Sequence, residues 1–448
     1  MKHVSRGRPD LLHGTIADKL LYIALPLAAT GILQQLFNAA DVAVVGRFVG
    51  ESAMAAVGSN APVIGLLVNL FVGTSLGTNV LISQFIGQRS RGDIRRAVQT
   101  SVIFAVLGGL LFGLIGELAA PRLLSLLSVP EDVIGMATTY LRIYFLGLPV
   151  IFLYNFESAI FRAQGDTRTP LLVLTGSGVL NVGLNLLFVL GLGLDVEGVA
   201  LATLASNLMS AVILFLLLSR SRSDVRLELR GLRVDTHMLK RILLIGVPAG
   251  IQSAVFSVAN ICIQSAINSL GTTVMAASSA AFNLEIFAYF VLNSFSQACT
   301  TFVGQNYGAG DIARCRRTLR ITLLVDAAFT AAACLLILGF ASPLLSVFNK
   351  NPDVIRYGTT RLRYIFASYA FSMLVDVFSG YLRGFGLSLV PAMTTLVGVV
   401  GVRIAWVYLV FPAHRTFAGL LTVYPISLAV TAAGVVVSWL ALRRRRGI

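Results

Sequence analysis

The segment Arg162–Pro170, with the sequence RAQGDTRTP, recurs 221 residues later as Arg383–Pro391, with the sequence RGFGLSLVP. Arg, Gly and Pro occupy matching positions in the two copies. The same spacing relates Gly198 to Gly419. Similarity at a fixed spacing indicates duplicated architecture. We therefore expect a chain made of two related halves.

The composition excludes a soluble protein. Of the 448 residues, 56% are hydrophobic and only 12% are charged, and the mean hydropathy is +0.83. Soluble domains carry about 25% charged residues. The net charge of +15 is compatible with nucleic-acid binding, but this hydropathy is not. The sequence predicts an all-α integral membrane protein that binds no nucleic acid.

Twelve apolar segments are long enough to cross a bilayer, which takes about 20 residues in a helix. They lie at about residues 20–45, 56–86, 97–120, 135–162, 170–192, 197–219, 241–268, 274–304, 319–341, 359–383, 389–411 and 417–441. Six spans fall in each half, and an even number of spans separates the two copies of the repeat. The halves are therefore predicted to have the same orientation in the membrane.

Basic residues predict which side of the membrane the termini occupy, because cytoplasmic loops are enriched in Lys and Arg. If the N-terminus is cytoplasmic, 26 of the 35 basic residues lie at the cytoplasmic side. The other nine are Arg47, Arg122, Arg142, Lys350, Arg356, Arg361, Arg363, Arg403 and Arg415. Both termini are predicted to be cytoplasmic.

The domain organisation follows from the repeat. We expect an N-terminal six-helix lobe at 1–219, a basic cytoplasmic linker at 220–240, and a C-terminal six-helix lobe with a basic tail at 241–448. Parallel repeats are typical of secondary transporters, with a site between the halves. The sequence has no P-loop, so an ion gradient is the expected energy source.

Several motifs resemble those of the multidrug and toxic compound extrusion (MATE) family, within the wider MOP flippase superfamily. They are the Pro26–Asp41 segment, Gly87-Gln88 with Gly92-Asp93, Arg162-x-x-Gly165-Asp-x-x-x-Pro170, Asn181-x-x-x-Asn185, Gly198-x-Ala-x-Ala-Thr203 and Gly304-Gln-Asn-Tyr-Gly-Ala-Gly310. The resemblance implies two lobes around a V-shaped central cavity. It also implies an antiporter that expels organic, often cationic, compounds in exchange for H⁺ or Na⁺.

Asp41 is the leading candidate for ion coupling. Ionisable residues inside a membrane are costly and usually functional, and burial of a carboxyl group favours its neutral form, which allows proton exchange. Gln34, Asn38 and Asp41 recur at helical spacing on one face, as an interior lining requires. The alternative is an interfacial salt bridge between Asp41 and Arg47.

In the resemblance, Asn181, Asn185 and Thr203 match the neighbours of this first-helix acid. With Asp41 they supply carboxylate, amide and hydroxyl oxygens, which suit a possible Na⁺ site as well as a proton relay. Some family members carry an acid at the position of Asn185. The alternative for the two asparagines is interhelical hydrogen bonding.

Further polar residues in the predicted spans are candidates for substrate binding or for a second-lobe site. Asp376 occupies the repeat position of Asn155 and resembles a family acid of the tenth helix. Glu285 lies among aromatic residues, an arrangement that can hold a lipophilic cation but is also common in simple packing. Glu157 is expected to line a cavity or to pair with Arg162. Polar residues on the seventh span add a further candidate, Gln252.

These observations predict a multidrug efflux antiporter of a bacterial-type inner membrane that works by alternating access. It would act as a monomer on small organic substrates, with H⁺ or Na⁺ as coupling ion and no other cofactor. The four cysteines and four histidines form no metal-binding pattern. A lipid-linked oligosaccharide flippase of the same superfamily is the alternative. An enzyme acting on lipid is disfavoured because no catalytic cluster is visible, and a receptor is disfavoured by the parallel repeat.

Overall fold

The computed structural model describes residues 9–126, 129–413 and 415–447, and these residues are almost entirely helical. The first half contains α1 (Ala17–Phe48), α2 (Glu51–Gln88), α3 (Arg91–Leu126), α4 (Glu131–Leu146), α5 (Leu148–Ala163), α6 (Arg168–Leu186) and α7 (Val196–Arg220). The second half contains α8 (Thr236–Asn268), α9 (Thr272–Gly308), α10 (Ile312–Gly339), α11 (Ala341–Phe348), α12 (Pro352–Gly384), α13 (Leu389–Thr395), α14 (Val402–Ala405), α15 (Phe417–Leu421) and α16 (Val423–Arg446).

Short π-helical segments, with wider turns than an α-helix, extend some of these helices. Leu187–Gly191 continues α6, and Leu396–Gly401 and Trp406–Val410 enclose α14. A 3₁₀ turn, Phe411–Ala413, follows the last of them. The π-helical segments occur in the fifth span and in its repeat counterpart, the eleventh.

The predicted number of membrane spans is confirmed. Within the described ranges, eleven helices or helix runs are long and apolar enough to cross a membrane, and the bent pair α4 and α5, taken as one span, brings the number to twelve. The two helices meet at 49°, with Gly147 between them and Pro149 in the first turn of α5. Proline has no N–H group and cannot continue the hydrogen bonding of the preceding helix, which accounts for the bend.

Packing divides the chain into two compact units. The first unit contains Ala29–Gly246, and its apolar core includes the contacting rings of Phe71, Phe152 and Phe156. The second contains Pro9–Ala28 and the chain from Val247 onward.

Lys2, Arg6 and Arg8, which are among the 26 basic residues assigned to the cytoplasmic side, lie outside the described residues.

In the second unit, α9 and α12 are joined by interhelical hydrogen bonds. The Ser296 hydroxyl donates to the Asp376 carbonyl oxygen at 2.5 Å, and the Thr300 hydroxyl donates to the Gly380 carbonyl oxygen at 3.1 Å. Small residues and hydroxyl groups of this kind let membrane helices approach closely. These bonds join the two helices that carry Glu285 and Asp376.

The first helix of each half begins in the opposite unit. Leu20 and Ile23 of α1 are fully buried against Phe295 and Phe302 of α9, in the second unit. Conversely, α8 belongs to the first unit as far as Gly246. The packing units therefore differ from the lobes expected from the repeat at the starts of α1 and α8.

The linker between α7 and α8 packs against the first unit. The side chain of Gln99 on α3 donates to the carbonyl oxygen of Glu228 at 2.9 Å, and Arg95 forms an ion pair with the Glu228 carboxylate at 2.7 Å. Val225 and Leu227 are buried in the core of that unit. These contacts hold the linker on the end of α3.

A close backbone approach joins α2 to the first part of α8. A Cβ atom added at Gly77 would lie 2.1 Å from the carbonyl oxygen of Ile242, and one added at Gly246 would lie 2.2 Å from that of Thr74. Neither backbone oxygen can move without moving its helix. Glycine at both positions is therefore required by the crossing.

We expect Gly77→Ala to destabilise the protein by about 1–3 kcal/mol, because the added methyl group overpacks a helix crossing. Gly65→Ala in the same helix is the matched control, since an added Cβ there meets nothing within 4 Å. The gain in helix propensity, about 1 kcal/mol, is the same in both variants. Thermal unfolding of the purified variants checks this, and equal midpoints would contradict the steric argument.

Candidate functional site

Asp41 lies in a buried polar site between three helices of the first unit. Its side chain on α1 is 8% exposed. The Asn185 amide on α6 donates to Asp41 Oδ1 at 2.5 Å, and the Thr203 hydroxyl on α7 donates to Asp41 Oδ2 at 3.4 Å. Asn181 completes the group, because its amide donates to Thr203 Oγ1 and its Oδ1 accepts from Asn185, both at 3.4 Å.

Local sequence explains how these residues meet. Asn181 and Asn185 are four residues apart and share a face of α6. One turn earlier, Gly178 faces the ring of Phe37 on α1, and a Cβ added there would lie 1.9 Å from that ring. The missing side chain lets α1 and α6 approach closely enough for Asn185 to reach Asp41.

The site contains an oxygen acceptor that the protein does not use. Asn185 Oδ1 is buried and accepts no hydrogen bond from the described residues. Among those residues Asp41 also forms no ion pair, and Arg47 lies over the ring of Phe48 instead. The alternative of an Asp41–Arg47 salt bridge is therefore wrong, and the described side chains that donate to the carboxylate are neutral.

The remaining candidates of the first unit are placed differently. Gln34 and Asn38 are exposed on α1. The Asn155 amide donates to the carbonyl oxygen of Ile151 at 2.8 Å, within its own helix. Glu157 is fully buried, and neither of its carboxylate oxygens has a hydrogen-bond partner among the described residues. A Glu157–Arg162 pair is not formed.

In the second unit, Gln252 is part of a chain of hydrogen bonds. Its amide on α8 donates to the Thr395 hydroxyl at 2.9 Å, and its Oε1 accepts from Arg383 Nη2 at 2.5 Å. Arg383 is thus bound to a neutral amide. Asp376, two helical turns earlier on α12, is buried, and the ion pairs of the described residues do not include one between it and Arg383.

Glu285 is already compensated by a cation. Arg361 Nη2 and Nε on α12 donate to Glu285 Oε1 at 2.7 Å and to Oε2 at 3.1 Å, which makes a two-bond ion pair. Arg361 Nη1 donates to the Ser278 hydroxyl at 2.7 Å, and the Tyr369 hydroxyl donates to the Glu285 backbone oxygen at 3.0 Å. The pair is almost entirely buried.

Comparison with known proteins places this chain in a family. The family model described as MatE matches residues 26–187 and again 248–409, which together make up well over half of the chain. The chain belongs to the MATE family. Each limit of the second match lies 222 residues after its counterpart, 26 to 248 and 187 to 409, so the predicted internal repeat is confirmed.

Curated relatives of this MATE family protein extend over nearly its whole length. The probable multidrug resistance protein YoeA of Bacillus subtilis is 27% identical over 417 residues, which cover 91% of this chain and 90% of the relative. The FAD transporter of Shewanella oneidensis is 24% identical over 388 residues, 85% of each chain.

Solved structures confirm the MATE fold. A MATE crystal structure in complex with MaL6 has a TM-score of 0.90 at 21% identity and covers 98% of this chain and 99% of its own. An outward-facing multidrug resistance MATE transporter has a TM-score of 0.88 at 22% identity, with 97% of each chain covered. These proteins share an all-α architecture of many membrane-spanning helices.

Sequence reasoning missed part of the buried polar network of this MATE protein. Arg361 and Arg403 lie in or at the edge of predicted spans, and the sequence gives neither a partner nor a place in a polar cluster; both are 3% exposed inside the second unit. The ring of Tyr424, which lies beside both guanidinium groups, is not distinguished by any motif. An arginine well inside an apolar span is the signal that identifies such sites.

Proposed function

We propose that this protein is a secondary active efflux antiporter. It exports small organic, often cationic, compounds in exchange for H⁺ or Na⁺ by alternating access. It acts as a monomer in a bacterial-type inner membrane, with both termini in the cytoplasm, and it needs no cofactor besides the coupling ion. The proposal is supported by membership of the MATE family, by relatives named as multidrug resistance proteins, and by the site around Asp41.

The observation that carries the coupling role is the neutral environment of Asp41. An isolated carboxylate is expensive to bury unless a cation accompanies it. The contacts of Asp41 among the described residues are amide and hydroxyl donors, not basic side chains. Its charge is therefore best balanced by a mobile cation, which binds and leaves as the site changes its access to water.

The atoms around Asp41 fit either coupling ion. A proton needs only the carboxylate. Na⁺ is a hard cation that prefers several oxygen ligands, as Ca²⁺ and Mg²⁺ do, and the unused Asn185 Oδ1 can supply one beside the carboxylate. Thr203 Oγ1 contacts the Asp41 carboxylate directly, and Asn181 Oδ1 is one hydrogen bond further away, through the Asn185 amide. These four residues are the proposed ion-coupling group.

The second unit offers weaker coupling candidates. The Gln252 amide bonds to both Thr395 and Arg383, so it is occupied. The Glu285 carboxylate is neutralised by Arg361, which disfavours direct capture of a lipophilic cation. Asp376 remains the second-unit residue we propose as an additional ion or substrate site.

Reconstituted transport tests the function and names the ion. Liposomes containing the protein and a fluorescent organic cation should lose the dye under an imposed inward H⁺ or Na⁺ gradient, and one of the two gradients should drive it more strongly. Protein-free liposomes under the same gradients give the leak. Export that responds to neither gradient would contradict the antiporter proposal.

A further inference from the structure

A second buried cluster, in the second unit, has a positive charge without a matching acid. Arg403 on α14 donates from Nη1 to Asn260 Oδ1 at 2.7 Å and from Nε to the Ser427 hydroxyl at 3.1 Å. These acceptors are neutral, and among the ion pairs of the described residues none involves Arg403. Its side chain is nevertheless as buried as that of the paired Arg361.

Two guanidinium groups share this cluster. Arg403 lies 4.7 Å and Arg361 lies 5.7 Å from the centre of the Tyr424 ring. Glu285, which neutralises Arg361, is the acid that contacts this group of described residues. Two positive charges and one negative charge leave the cluster with an excess of one positive charge.

The internal repeat relates part of this cluster to the Asp41 site. With the spacing of 221 residues that relates Arg162–Pro170 to Arg383–Pro391 and Gly198 to Gly419, Thr203 corresponds to Tyr424, and Asn181 corresponds to Val402, the residue before Arg403. The cluster therefore lies in the region of its own unit that corresponds to the Asp41 site.

The two regions carry opposite charges. In the first unit a carboxylate bonds to amide and hydroxyl groups, whereas in the second unit a guanidinium does. The backbone around Arg403 is also irregular, because π-helical segments lie immediately before and after α14. Such segments are frequent at functional sites.

We propose that Arg403 is the centre of an anion-binding site that takes the carboxylate or phosphate group of an organic molecule. Two of the five N–H groups of its guanidinium donate to described residues. The other three have no acceptor among those residues and can donate to an oxyanion, which arginine binds with two parallel bonds. The proposal goes beyond the antiport function, because it concerns equilibrium binding and requires no coupling ion.

The chain contains a natural reporter for this site. Its two tryptophans are Trp406 and Trp439, and Trp406 lies one helical turn after Arg403 with its indole N–H bonded to the Gly419 carbonyl oxygen. In a Trp439→Phe background, emission comes from Trp406 alone. Titration with succinate and with inorganic phosphate, at constant ionic strength against chloride, should change this emission with saturation.

Variants separate a specific site from general charge effects. Arg403→Gln should raise the apparent Kd for the anions about 10- to 100-fold, as loss of hydrogen bonds to a charged group implies. Arg403→Lys should have a Kd between those of the parent and Arg403→Gln, because lysine keeps the charge but cannot form the two parallel bonds. Arg356→Gln is the control, since this exposed arginine of the same unit pairs with an exposed aspartate. It should bind the anions like the parent protein.

Two lipid compositions identify the source of the anionic group. In nanodiscs of phosphatidylcholine alone, binding of soluble anions supports a solute site. If phosphatidylglycerol competes with succinate and phosphate through Arg403, the site is still an anion site, and its occupant is a lipid headgroup. Absence of a saturable response of the parent protein in both lipids would overturn the proposal, as would an unchanged response in a folded Arg403→Gln variant. If Arg403→Gln does not fold, the titrations of the parent protein and of Arg403→Lys test the proposal instead. Saturable binding by the parent that is weaker in Arg403→Lys supports the site, and an unchanged response in Arg403→Lys overturns it.

Discussion

Replacement of Asp41 by asparagine is expected to reduce gradient-driven export to the leak rate of protein-free liposomes. The amide keeps the size of the side chain, and it can still accept from Asn185 and bond to Thr203, which now contact the carboxylate. What it loses is the ability to take up a cation. Fold and insertion should therefore survive while coupling is lost.

Dye efflux under the driving gradient measures this loss, and size-exclusion chromatography of the same preparation verifies the fold. Asp132→Asn is the matched control, because Asp132 is exposed in the first turn of α4. It should transport like the parent protein. Export by Asp41→Asn at the parent rate would remove Asp41 from the mechanism.

Disruption of the Glu285–Arg361 pair should have the largest effect on stability. We expect Arg361→Met to cost about 3–5 kcal/mol, because the buried Glu285 carboxylate then has no cation bonded directly to it. The two bonds between the side chains and the contact of Arg361 with Ser278 are lost together. Chemical unfolding of the purified protein gives the change in free energy.

A double variant distinguishes an unpaired charge from a simple loss of packing. Glu285→Gln combined with Arg361→Met removes both charges and should recover most of the stability lost by Arg361→Met alone. The exposed pair Arg356–Asp353 provides the comparison, since breaking it should cost only about 0–1 kcal/mol. If the double variant is as unstable as the single one, packing and not charge holds this region.

The extent to which sequence predicts this protein differs between the fold and its polar sites. Long apolar runs and the duplicated Arg162–Pro170 segment predict the spans and the repeat, because membrane crossing imposes a length and a composition. The Asn181 and Asn185 pair is visible as well, because four residues make one helical turn. The structure brings both close to Asp41.

Pairings across long distances in sequence could not be predicted in the same way. The sequence identifies Glu285 as an acid within a predicted span, but its partner Arg361 is 76 residues away on another helix. Without the packing of α9 against α12, Glu285 appears as a free carboxylate and Arg361 as a marker of topology. Which side chains meet is decided by helix crossings, and glycines such as Gly178 reveal a crossing only once the partner helix is known.

The start of α1 packs in the second unit and the start of α8 packs in the first, and this arrangement determines where the two units are covalently connected. Among the described residues, the chain passes from one unit to the other inside α1, between Ala28 and Ala29, and inside α8, between Gly246 and Val247. The basic linker lies wholly within the first unit, so lengthening or cutting it would leave both connections intact. Each crossing point is within three residues of a proline, Pro26 or Pro248, whose missing N–H weakens the helix there. The described covalent connections between the two units therefore run through two continuous helices, each beside a proline, and not through the loop that joins the two halves of the sequence.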